Sequence, residues 1–167
     1  QSVGNLVTRY PINKIVLKER GASTLGGQNI WYDEDVRRLN MDGRGELLGE
    51  FKGDDKIVVW TKKNQYYITG YDLQQHFPDD TIRVERYRAD SVYAICYYDG
   101  EQKYYYMKRF QLEATDKIQY FLDEDAPMRF VAMTDKLGAK LVVEFGGQHA
   151  QRPSEEVDVD EFIGLKS

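Results

Sequence analysis

The chain has 167 residues, 41% of them apolar and 13% aromatic, which excludes a disordered segment and leaves room for a real core. Its net charge is −5, and the charge is uneven: 11 Lys+Arg against 9 Asp+Glu in residues 1–63, 6 against 8 in 64–113, and 6 against 11 in 114–167. A uniformly basic nucleic-acid binder is thereby excluded, and any phosphate contact must come from a confined surface, with residues 1–63 the favoured end.

No stretch has the length and apolarity of a transmembrane helix, and nothing at the start reads as a signal peptide. The single cysteine, Cys96, lies between Ile95 and Tyr97 and reads as a buried, inert thiol. One cysteine makes no internal disulfide, which suits a reducing cytoplasmic location.

Residues 1–20 read as a strand over Asn5-Leu6-Val7-Thr8-Arg9-Tyr10, broken at Pro11, then a second apolar run over 12–17. Alternation sets Leu6 and Thr8 on one face and Val7 and Arg9 on the other. Lys14, Lys18 and Arg20 follow. Residues 21–52 form a glycine-rich connection. Within it, Ile30-Trp31-Tyr32 reads as a short strand. Residues 33–39 read as one helical turn capped by Asp33 and carrying Arg37 and Arg38, and Asn40-Met41-Asp42-Gly43-Arg44-Gly45 reads as a tight turn. These glycines match neither the P-loop nor the GxGxxG spacing, which speaks against a nucleotide cradle.

Residues 53–74 spell a β-hairpin: a β-branched and aromatic run over 57–61, the turn Lys62-Lys63-Asn64, and a second run over 65–69. Residues 75–89 link it to the next. There Ile82 and Val84 alternate with Arg83 and Glu85, as in a charged edge strand. Residues 90–113 repeat the hairpin around Asp99-Gly100, and residues 127–147 repeat it around a turn at 135–138. Residues 148–167 read as an acidic spacer without a folded element. The hairpins start at Ile57, Val92 and Phe130, 35 to 38 residues apart, a period that points to a propeller, solenoid or array. Asn5 to Tyr10 matches the second strand of this unit, so the chain reads as an excerpt that opens in the middle of a repeat.

Catalytic chemistry is hard to place. His76 and His149 fall in loops without a spacing partner for zinc or a triad. Asp54-Asp55 and Asp79-Asp80 sit at hairpin mouths, where turn chemistry accounts for them. Tyr97, Tyr98, Tyr104, Tyr105 and Tyr106 fall inside the strand pattern, which favours sheet packing over base stacking. Two other classes stay open: a protein-interaction β-propeller that binds no DNA, and an enzyme on a propeller scaffold. The second needs an acid/base cluster that the sequence does not supply.

The repeated hairpin, as in residues 55–68, resembles the blades of the C-terminal domain of type IIA DNA topoisomerase A subunits. The phrases Gly4-Asn5-Leu6-Val7-Thr8-Arg9-Tyr10-Pro11, Ser23-Thr24-Leu25-Gly26-Gly27, Asn40-Met41-Asp42-Gly43-Arg44-Gly45, and Tyr98-Asp99-Gly100 through Lys108-Arg109-Phe110 are similar to the topoisomerase IV (gyrase-like) A subunit of Bacteroidetes-type bacteria. The resemblance implies an all-β fold, a propeller-like β-pinwheel of four-stranded antiparallel blades, here a partial array of three to four. It implies a non-catalytic module that binds and bends double-stranded DNA along a basic outer rim during ATP-dependent strand passage. ATP and Mg2+ would act on other domains of the parent enzyme, with no cofactor in this chain. The partners it implies are duplex DNA, the parent A-subunit dimer and the ATPase B subunit. No counterpart of the gyrase glutamine-arginine-glycine box is present, which favours relaxation and decatenation over supercoiling. Thr8-Arg9-Tyr10 resembles the short active-site wording of the parent enzyme, but its flanks differ, and Tyr10 reads as structural. The DNA-contact candidates are Arg9, Lys14, Lys18, Arg20, Arg37, Arg38, Arg44, Lys62, Lys63, Lys108 and Arg109.

Overall fold

The computed structural model describes residues 4–15 and 27–163. It is all-β, with four antiparallel sheets and almost no helix. The strands are β1 Gln28–Asp33, β2 Arg38–Asn40, β3 Glu46–Phe51, β4 Lys56–Thr61, β5 Gln65–Gly70, β6 Thr81–Arg86, β7 Val92–Asp99, β8 Tyr104–Gln111, β9 Gln119–Tyr120, β10 Met128–Thr134, β11 Lys140–Val143 and β12 Glu155–Asp158. One helical turn, α1, spans Val159–Ile163. The sheets have the orders β2-β1-β3, β6-β4-β5-β9, β10-β7-β8 and β11-β12.

β4 organises the core. Its residues alternate between two faces, yet Ile57, Val58, Val59 and Trp60 are all fully buried. Ile57 and Val59 join Ile30, Tyr32, Leu39 and Phe51 of the first sheet. Val58 and Trp60 join Tyr93 and Ile95 of the third. The second sheet is therefore covered on both faces, which is why its central strand is written as an unbroken apolar run. Each such side chain removed from water contributes about 1.5–3 kcal/mol. Trp60 anchors the second cluster, with the rings of Tyr66, Tyr93, Phe110 and Phe121 5.1–6.2 Å from its own.

A polar network is buried with it. Glu85 on β6 accepts the indole N–H of Trp60 at 3.0 Å and the hydroxyl of Tyr93, and pairs with Arg83 at 2.7 Å. β6 is the sheet edge foreseen from its charges, but Arg83 and Arg86 are engaged there, Arg86 with Asp55 at 3.3 Å.

Several expectations are corrected. Residues 34–37 form the turn of a β1–β2 hairpin, not a helical turn; Asp33 still caps it, accepting the amide of Asp35 at 3.0 Å. The hairpin expected over 127–147 is split between sheets. β10 pairs with β7 and β11 pairs with β12, because Phe130 and Met133 pack against the Trp60 cluster. Residues 148–167 are not a bare spacer: β12 and α1 lie within them, and Val159 is 3% exposed. Residues 5–10 form no strand, since no neighbour pairs with them among the described residues, and Tyr10 is 81% exposed instead of packed in a blade. Four strands are present in one sheet only among the described residues.

Candidate nucleic-acid interface

The sequence candidates divide by where the strands carry them. Asn40, 6% exposed, builds one end of the first group. Its Oδ1 accepts the amides of Asp42 and Arg44 at 3.0 and 3.1 Å, and its Nδ2 donates to the Arg44 carbonyl at 2.8 Å. The loop closes through Gly45 at φ +89°, where a Cβ would lie 2.0 Å from the Tyr32 carbonyl oxygen. Glycine is thus required there. The result presents Arg44 to solvent, with Asp42 3.1 Å from its guanidinium.

Arg37 occupies the β1–β2 turn at φ +52°. Its carbonyl accepts the amide of Phe77 at 3.0 Å, and its Nε donates back to the Phe77 carbonyl at 3.2 Å. Phe77 is fully buried, its ring edge-on to Tyr32. The turn is fixed to the core through this residue, and the Arg37 guanidinium reaches Asp79 at 2.8 Å. Arg38 is exposed, forms a backbone bridge with His76, and has no ion pair among the described residues. Arg37, Arg38, Arg44, Asn40, Gln74 and His76 line one open polar groove.

The loop that receives Arg37 also receives the next hairpin turn. The Lys62 amide donates to the Asp80 carbonyl at 2.7 Å, and Lys63 Nζ lies 4.0 Å from the Asp80 carboxylate. Residues 37 and 62–63, far apart in sequence, thus meet on the two sides of residues 77–80. Arg37, Arg38 and Arg44 line the same groove, and Lys62 and Lys63 meet the loop at 77–80 that Arg37 also contacts. Their acidic neighbours, Asp42, Asp79 and Asp80, form solvent-facing pairs, a class worth at most about 1 kcal/mol each.

The remaining candidates lie elsewhere. Arg9 and Lys14 are exposed on a segment that joins no sheet, and Lys18 and Arg20 lie outside the described residues. Lys108 runs over the rings of Tyr97 and Phe110, 5.8 Å from each, and burial holds its ammonium below the usual lysine range. The Arg109 side chain is 5% exposed and pairs with Asp160 at 2.6 Å. Gly138 donates its amide to Asp160 at 2.7 Å, and that bond, with Arg109, holds the carboxyl below its ordinary value. Arg109 therefore joins the third and fourth sheets; its place in the packing removes it from a surface contact.

Asn40, Gln74 and His76 were not singled out in the sequence as groove residues. His76 reaches the groove through a backbone bridge 38 positions distant, for which no local signal exists. Asn40 had one, as an Asx residue opening a glycine turn.

The family model for the topoisomerase C-terminal domain of Bacteroidota matches residues 38–167. Comparisons with curated proteins and with solved structures give no match. Residues 38–167 include the groove loop, the Lys62-Lys63 turn and all strands from β2 onward. The chain belongs to the topoisomerase C-terminal domain family of Bacteroidota.

Proposed function

We propose that this chain is a non-catalytic module of a type IIA topoisomerase A subunit that binds and bends duplex DNA along the edge carrying Arg44, Arg38, Arg37, Lys63 and Lys62. The observation that carries the reading is the meeting of Arg37 with Lys62 and Lys63, from two separate turns, on the loop at 77–80, beside the groove that Arg37 lines with Arg38 and Arg44. Phosphates replacing the solvent-facing carboxylates would release counterions, giving salt-sensitive, sequence-tolerant binding. Bending the duplex costs on the order of a few kcal/mol, which those contacts offset. Arg9, Lys14, Lys18 and Arg20 extend the set from the amino-terminal side; Lys108 makes at most a peripheral contact.

In this reading the successive sheets are blades of a β-pinwheel. Two features support it: the face-to-face packing of the first three sheets, and the entry of β9 into the second sheet from beyond the third sheet's hairpin. The parent enzyme would act in the cytoplasm on duplex DNA with its A-subunit dimer and ATPase B subunit, relaxing and decatenating, with ATP and Mg2+ on other domains. The test is charge reversal at Arg37, Arg38 and Arg44. The reading expects duplex affinity to fall and its salt dependence to flatten, and unchanged binding would sink it.

A second reading, a protein-interaction module, is favoured by one feature only. Tyr104, Tyr105 and Tyr106 stand exposed on an open sheet edge.

A further inference from the structure

His76 stands directly opposite Arg38. The two form an antiparallel backbone bridge, and the bond beside it runs from the Phe77 amide to the Arg37 carbonyl at 3.0 Å, one residue out on each side. Arg38 and His76 are therefore a non-hydrogen-bonded pair, the class in which opposed side chains come closest. Cβ atoms in such pairs lie about 4.5–5.5 Å apart. The pleat fixes their direction. Leu39 and Phe77, the next residue on each strand, are 3% and 0% exposed and face the core, so Arg38 and His76 face outward together. Both are exposed, and both line the open polar groove.

The other charged groups around His76 are few or engaged. Arg37 holds Asp79, and Arg44 holds Asp42. Asp72, earlier on the same link, accepts the amide of Gln74 at 2.8 Å. Asp35 is the one carboxylate among the described residues that line the groove, against the three guanidiniums of Arg37, Arg38 and Arg44. Neither Arg38 nor His76 has an ion pair among the described residues.

We propose that Arg38 and His76 clamp one phosphate of the duplex between them, and that His76 takes up a proton as it does so. This rests on the groove being the DNA interface proposed above. The phosphate oxygens accept from the guanidinium and from a ring nitrogen of the imidazolium, both charge-assisted bonds. Imidazole is the side chain that ordinarily changes charge between about pH 5 and 8, and a phosphate beside it favours the charged form. The coupling is reciprocal: a phosphate that favours protonated His76 is itself bound more tightly by protonated His76. Duplex binding therefore strengthens as pH falls through the imidazole range and loses that increment above it. Asp35, Asp42, Asp72 and Asp79 are carboxylates, a class that titrates near pH 4, below this window.

The test measures affinity for a labelled duplex, and its salt dependence, at about pH 6 and about pH 8. The chains compared are the wild type, His76→Gln, His76→Lys and, as a control at a histidine outside the groove, His149→Gln. The wild type is expected to bind about fivefold tighter at the lower pH. Its slope of log affinity against log salt should steepen there by roughly 0.9, the value of one further phosphate contact. His149→Gln should keep both effects. His76→Gln should lose both, and His76→Lys, with a fixed charge, should show the same affinity and slope at the two pH values. A wild type that binds the duplex without gaining at low pH overturns the clamp and leaves the groove reading standing. So does a gain that survives His76→Gln. A wild type that binds no duplex at either pH overturns the groove reading, and the clamp with it.

Discussion

The Arg37 guanidinium lies 2.8 Å from the Asp79 carboxylate, and this pair fastens the β1–β2 turn to the loop that also receives Lys62 and Lys63. Asp79 is 92% exposed, so the carboxylate restrains Arg37 weakly and competes with any phosphate for it. Replacing the competitor should therefore tighten DNA binding. Asp79→Asn with Asp80→Asn is expected to raise duplex affinity about threefold to tenfold at low salt, with little change in stability. Fluorescence anisotropy on a labelled duplex reads the first quantity and thermal unfolding the second.

Glu85 supports a sharper stability prediction. It is the common acceptor for Trp60 and Tyr93 and the partner of Arg83, with a side chain 14% exposed. Trp60→Phe keeps a ring in place and removes one donor, a loss of about 1 kcal/mol. Glu85→Ala strands the Trp60 N–H and the Tyr93 hydroxyl and leaves Arg83 only the more distant Asp135 at 3.7 Å, a loss of about 3 kcal/mol. Urea unfolding midpoints at neutral pH measure both, and the ordering of the two variants is the point tested.

The loop that presents Arg44 depends on Gly45, with its φ of +89° and the Tyr32 carbonyl oxygen 2.0 Å from where a Cβ would stand. Gly45→Ala is expected to cost about 2–3 kcal/mol, because the backbone must shift to admit the methyl group. Gly43→Ala has positive φ but open space around it, so its cost should be smaller. Thermal unfolding of the pair separates steric contact from backbone strain.

Asp160 gives the fold an acid-side dependence. The Gly138 amide and the Arg109 guanidinium hold its folded pKa below the unfolded value of 3.8. The stabilisation is therefore complete above that value and is lost as pH falls through the lower folded one. Asp160→Asn should lower the melting temperature at pH 7, and the gap to the wild-type chain should narrow steadily below about pH 4. A gap that is the same at pH 7 and pH 3 would contradict the assignment.

Much of this architecture was written in residue patterns. The β-branched and aromatic run over 57–61 announced a strand, and Lys62-Lys63-Asn64 announced the turn between β4 and β5. Pairing between sheets was not legible. The period of the apolar runs set β10 and β11 side by side, whereas Phe130 and Met133 found their partners in the earlier cluster around Trp60. Residues 155–163 looked too acidic to fold, yet Asp160 and Val159 are fixed by Gly138, Arg109 and Ala139, contacts that no local window contains. The same limit applies to the candidate interface. Sequence marked Arg37, Arg38, Arg44, Lys62 and Lys63 as cations; the meeting of Arg37 with Lys62 and Lys63 rests on Phe77 and Asp80, which were read only as part of a link. Arg109 carried the same charge signal, and burial against Asp160 gave it another role.

The most direct measurement is binding of the chain to a duplex of roughly 40 base pairs, titrated from low to moderate salt, beside the same chain carrying charge reversals at Arg37, Arg38 and Arg44. The account predicts measurable affinity at low salt, a steep loss of that affinity as salt rises, and both a weaker affinity and a shallower slope in the variant. A wild-type chain that does not bind at low salt, or a variant that binds as well as the wild type, would contradict it.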